Sequence, residues 1–205
     1  MKLSSFFCVL LVSSVHGRPW WAGGRGGQGG GSSSSGGTLE NSQEEDDLLY
    51  MREEEKMARD VYRSFFELFG DSIFSNIASS EQQHMNRMLD MIETYGLTDP
   101  VPSDDIGIFD DSNINELYDS LILQGQASLL DALKVGALIE EVDIADLREA
   151  IADSSETRLV RVYGNLERAS ENHLRAFASR IKAMTGDSYE AQKLEQEDVD
   201  SILGA

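Results

Sequence analysis

Four stretches of this 205-residue chain repeat apolar residues at intervals of three and four, joined by connections that run short, long, short. Such spacing lays the apolar residues along one face of a helix. In the first stretch Leu48, Met51, Ala58, Tyr62, Phe65 and Phe69 recur in this way. Ser42 with Glu45 fits a capping box at its start, and Gly70 ends it. Asp71 or Ser72 caps a second helix that runs to about Tyr95, with Gly96 as its stop. The third covers about Ser128 to Ala152, and the fourth runs from the neighbourhood of Asp153 and Glu156 to about Met184, ending at Gly186. Between the second and third lie "LTDPVPSDDIGIFDDSN", which reads as a loop, and "INELYDSLILQG", which reads as a short helix. Strand signals are nearly absent. The expected fold class is therefore all-α, with antiparallel neighbours across each short connection and one long crossover in the middle.

The faces that should be apolar carry polar residues. The second stripe is Ile77, Glu81, His84, Met88, Ile92 and Tyr95, so a carboxylate and an imidazole three residues apart point inward together. In the first helix Glu55 interrupts the stripe, with Glu54 a close alternative. In the third, Glu140 falls between Gly136 and Ile144, with Asp143 on a similar face. In the fourth, Ser170 and His173 repeat the three-residue step within the stripe Tyr163, Leu166, Phe177 and Ile181. A buried ionised carboxylate costs several kcal/mol unless it is paired or binds a cation. Of three histidines, only His84 and His173 lie in the helical part, and they hold matching places in the two hairpins. Inward acids and imidazoles from four helices suit iron, manganese or zinc. A metal-free hydrogen-bond network is the other reading of the same residues.

"REEEKMARDVY", "FSNIASSEQQHM", "ALKVGALIEEVDI" and "SENHLRAF" resemble the sequence blocks of an uncharacterised bacterial-type family within the ferritin-like superfamily, over about residues 48–182. That resemblance implies a ferritin-like four-helix bundle with the long crossover between the second and third helices. Ferritin-like di-iron proteins place one Glu on each of two helices and a Glu-x-x-His on each of the other two. The resemblance then implies Glu55, Glu81, His84, Glu140 and His173 as metal ligands, with Tyr62 beside them. It also implies iron as the cofactor, as a di-iron pair where the site is complete, with ferroxidase, peroxide-consuming or oxygen-activating chemistry. One position departs from the pattern: Ser170 stands where the second Glu-x-x-His needs an acid. Either Asp143 offsets the loss, or the second metal is weak, water-rich or absent.

Residues 1–17, "MKLSSFFCVLLVSSVHG", read as a secretory signal: Lys2 is followed by a short apolar run, with Val15 and Gly17 small enough for cleavage. The run is too short for a stable membrane anchor, and no other segment is apolar enough to span. Residues 18–41 form a Gly/Ser-rich leader, expected to be flexible. The bundle is expected over 42–186 and an acidic tail with one loosely docked helix over 187–205. Cys8, the single cysteine, falls in the signal, so an extracellular form would be held by its core or a metal rather than by disulfides. A net charge of −20 argues against nucleic acid as a partner and for cations. The arginines from Arg158 to Arg180 read as a solvated face balancing nearby acids. No phosphate-binding loop or hydrolase motif stands out. Two functions remain in view. One is a secreted metalloprotein whose core acids and imidazoles hold iron. The other is an acidic extracellular matrix protein that binds calcium or mineral through outward acids, with the bundle as scaffold.

Overall fold

The computed structural model of the chain describes residues 39 and 42–204. The proposed signal, Cys8 and nearly all of the leader lie outside them. Among the described residues every regular element is α-helical: α1 Ser42–Phe69, α2 Ser72–Tyr95, α3 Ser112–Gly125, α4 Leu129–Asp153, α5 Thr157–Thr185 and α6 Gln196–Leu203. The stops and starts follow local chemistry. Gly70 (φ +69°) and Gly96 (φ +70°) take the left-handed conformation that terminates α1 and α2. The Asp71, Asp111 and Ser128 side chains accept from Ile73, Asn113 and Asp131 N–H and so cap α2, α3 and α4.

α1 packs along α2 and α4 along α5, and the two hairpins meet through α1 with α4 and α2 with α5. Two apolar layers fill the space between these four helices. At one end lie Leu48, Met51, Met88, Ile92, Leu147, Leu159, Tyr163 and Leu166. At the other, Tyr62, Phe65, Phe74 and Phe177 stack with ring centroids 5.4–6.5 Å apart. Each buried side chain of this size contributes about 1.5–3 kcal/mol relative to exposure. The inward acids and imidazoles come between these layers in every helix. Gly136 permits close approach at their edge, since a Cβ there would fall 2.6 Å from the Phe177 ring.

α1 differs from the one-sided helix its apolar stripe suggests, for every residue from Tyr50 to Tyr62 is buried. Arg52, Glu53, Lys56, Arg59 and Asp60 of the charged run "REEEKMARD" are covered by the crossover. Arg52 pairs with Asp99 at 3.0 Å. The Glu53 carboxylate accepts the main-chain N–H groups of Asp110 and Asp111. Asp60 is the hub: it takes Lys56 Nζ at 2.7 Å, Arg59 Nε at 2.9 Å and Gly107 N at 3.1 Å. Lys56 and Arg59 then donate onward to the Asp105 carbonyl and to Asp104. The buried ion pairs are thus fully hydrogen-bonded, the condition under which burial is tolerated.

The tail is fastened rather than loose. Glu141, fully buried on α4, accepts from the Tyr189 hydroxyl at 2.6 Å and from the N–H groups of Gln192, Lys193 and Leu194 at 2.7–3.0 Å. Val199 and Ile202 of α6 are buried, and Arg175 Nε donates to the Ile202 carbonyl.

Candidate metal centre

Four helices each deliver one turn to the polar layer. α1 brings Glu55, α2 brings Glu81 and His84, α4 brings Glu140 and α5 brings His173. All five residues singled out by the sequence converge. They form two groups able to hold a metal ion, Glu55–Glu81–His84 and Glu81–Glu140–His173, with the candidate ligand atoms in each within 4.8 Å of one another. Glu81 belongs to both. Its Oε2 lies 2.7 Å from His84 Nδ1, and its Oε1 lies 2.9 Å from His173 Nδ1, off the line of a well-formed hydrogen bond. His84 Nδ1 is also 3.2 Å from Glu55 Oε2, and His173 Nδ1 is 3.3 Å from Glu140 Oε2. The imidazole rings are 5.7 Å apart and 25° from parallel.

The electrostatics are those of two imidazoles set among buried acids. Burial works against charge on both imidazoles, but their carboxylate neighbours prevail and raise His84 to about 12 and His173 to about 11. In the metal-free protein two imidazolium ions thus supply positive charge among the acids. Burial also opposes charge on Glu81, yet His173 and His84 hold it below the usual carboxylate range. Glu55 and Glu140 move the other way: burial raises both, beyond what their histidines can offset. Glu55 Oε1 has no hydrogen-bond partner among the described residues. A buried acid oxygen left so is the kind of group a metal ion satisfies. Carboxylate oxygens mixed with imidazole nitrogens are a donor set that fits iron, manganese or zinc.

The surroundings orient these groups. Tyr62 donates to Glu140 Oε1 at 2.5 Å, and burial beside that acid pushes its phenol well above the usual range. Ser80 Oγ is 3.0 Å from His173 Nε2. A donor–acceptor contact on the outer ring nitrogen fixes which nitrogen faces the centre. No spacing in the sequence points to Ser80, because its partner is on another helix. Glu55, not Glu54, is the acid of α1 that faces the histidines. Glu54 is also buried, next to Asp146, and burial with repulsion from Asp146 and Asp143 raises it well above the carboxylate range. Ser170 is buried and donates to Asp143 Oδ2.

Comparison with known proteins adds relatives without an assigned activity. The family described as an uncharacterized protein domain, DUF2202, matches residues 44–205. The uncharacterized protein MJ0754 of Methanocaldococcus jannaschii is 42% identical over 153 residues, which cover 75% of this chain and 82% of that protein. The crystal structure of hypothetical protein MJ0754 from Methanococcus jannaschii has a TM-score of 0.79 to this chain at 40% identity, covering 85% of this chain and 98% of that one.

Proposed function

The chain belongs to the DUF2202 family of uncharacterised proteins, and from that premise we propose that it is a ferritin-like metalloprotein holding two metal ions, iron first among them, in its bundle core. One observation carries the reading: Glu81 presents one oxygen to each histidine and is shared by both three-residue groups. A carboxylate so placed can bridge two ions. The short-long-short connectivity, with α3 inside the long crossover, supports the ferritin-like arrangement.

In this function iron supplies the redox chemistry with dioxygen or peroxide, so the activity is ferroxidase-like. The protein's part is to bind and to shield. Glu55, Glu81 and Glu140 neutralise cation charge, and His84 and His173 complete each set as neutral donors. Tyr62 fixes the orientation of Glu140 through its hydrogen bond. The two apolar layers limit bulk water on either side. Export belongs to the same proposal, on the strength of residues 1–17, and is tested by whether the secreted chain begins near Arg18. No helix among the described residues is long and apolar enough to cross a membrane.

The test is metal analysis of purified protein followed by anaerobic titration of chelator-treated protein with Fe(II). Two equivalents are expected for the wild type. Glu81→Ala should lose both, because each set loses the oxygen that Glu81 presents to it. A wild type that retains no iron, manganese or zinc and takes up no Fe(II) defeats the reading. Millimolar calcium binding equal in wild type and Glu81→Ala would then favour the acidic matrix function, whose ligands are outward acids.

A further inference from the structure

We infer that Asp143 is the sixth protein ligand of the centre, delivering from α4 the carboxylate that Ser170 cannot deliver from α5, with Ser170 as its positioning residue. The inference rests on the two-metal reading above and deepens it.

Placement comes first. Asp143 follows Glu140 by three residues, so both project from the same side of α4. It is buried, and its strongest charged neighbours are Glu55, Glu140 and Glu81, the three acids of the centre, contributed by α1, α4 and α2. A fourth acid packed among three others is repelled by all of them. Burial strengthens that repulsion by lowering the effective dielectric. A cation among them would reverse its sign.

The hydrogen bonding of Asp143 is one-sided. Oδ2 accepts from Ser170 Oγ, while Oδ1 is buried and has no partner among the described residues. Buried polar atoms rarely go unsatisfied. One oxygen held by a neighbouring hydroxyl and the other free is the arrangement of a carboxylate oriented for a metal by its second contact. The hydroxyl comes from position 170, three residues before His173, where the Glu-x-x-His pattern requires an acid. Serine is too short to reach an ion from there. It is long enough to hold an acid that arrives from the facing helix.

Charge supports the same assignment. Two divalent ions bring four positive charges, and Glu55, Glu81 and Glu140 bring three negative ones. With neutral histidines, Asp143 as carboxylate leaves the buried centre with no net charge, which low-dielectric surroundings favour.

The experiment uses the full chain, freed of metal by chelation, with Co(II) as probe and native mass spectrometry and calorimetry as readouts. The wild type is expected to take two equivalents. Asp143→Asn, which keeps the shape and the contact to Ser170, should take one tightly, with the second weakened about 100-fold or lost. Ser170→Ala should weaken the second by about 10-fold, the lower end for loss of an orienting contact. Metal-free Asp143→Asn should melt no lower than wild type, since it relieves repulsion. A purely structural Asp143–Ser170 contact would instead lower the melting point and leave cobalt binding alone. Two equivalents at wild-type affinity in Asp143→Asn overturns the assignment while the two-metal reading stands. A wild type that binds no cobalt and no Fe(II) defeats both. Should Asp143→Asn not fold, Ser170→Ala decides, and an unweakened second equivalent there overturns the inference.

Discussion

Glu81 and Asp47 show how differently burial treats two acids in one fold. Glu81 lies between two imidazoles, and their attraction outweighs the cost of burial, so it is held in its charged form. Among the described residues Asp47 has the Gln43 amide, at 2.7 Å, and the repulsion of Asp153, Glu149 and Asp46. Burial comes first among the causes that raise it from 3.8 to about 6. A carboxyl whose folded value lies above its unfolded value binds its proton more tightly when folded. Its contribution to stability is therefore fully present below about pH 4 and is lost as pH rises through about 6. Asp47→Asn should match the wild type in urea unfolding near pH 4 and exceed it at pH 7. Equal gaps at both pH values would contradict the assignment. The residue scale also explains why His84 and His173 stood out from sequence. They were the two histidines of the helical region, and both fell on apolar stripes.

At the scale of the element, α1 was legible as a helix but not as a helix buried on all sides. Its apolar positions follow the period of 3.6, and its C-terminal end follows from Gly70. Its charged positions look like a solvated face, because sequence spacing says nothing of what the crossover will lay against them. Asp60 shows the consequence. Asp60→Asn leaves Lys56 and Arg59 buried without their shared anion and should cost about 3–5 kcal/mol in chemical denaturation, the range for breaking a buried ion pair. A loss under 1 kcal/mol would mean that the crossover does not seal this network in solution. The same logic applies to α4, where consecutive acids have opposite duties: Glu140 faces the centre and Glu141 fastens the tail. Glu141→Ala removes a charged acceptor from three main-chain N–H groups. Residues 187–195 should then become the first site of limited proteolysis and exchange amide hydrogens faster, while α1 and α2 keep their protection. Unchanged proteolysis would show that α6 holds the tail without Glu141.

For the molecule as a whole, metal and fold should be linked. An ion that binds the native state and not the unfolded chain stabilises by about 2.7 kcal/mol at 100 times its dissociation constant. Fe(II) or Mn(II) should therefore raise the melting temperature of the wild type and leave that of Glu81→Ala in place, as followed by calorimetry under anaerobic conditions. A shift of the same size in both proteins would locate the stabilising ion elsewhere on this acidic chain. The sequence by itself determined the helices, their order, the long middle crossover and the placing of His84 and His173 on apolar stripes. Helical period, capping chemistry and glycine stops are local properties of the chain, and they operate before any long-range contact forms. It left open whether Glu54 or Glu55 faces the histidines, what covers the charges of α1, and how Ser170 and Asp143 share one hydrogen bond. Those were decided only in the tertiary structure, because each depends on the distance and rotation between helices remote in sequence, which no residue spacing encodes.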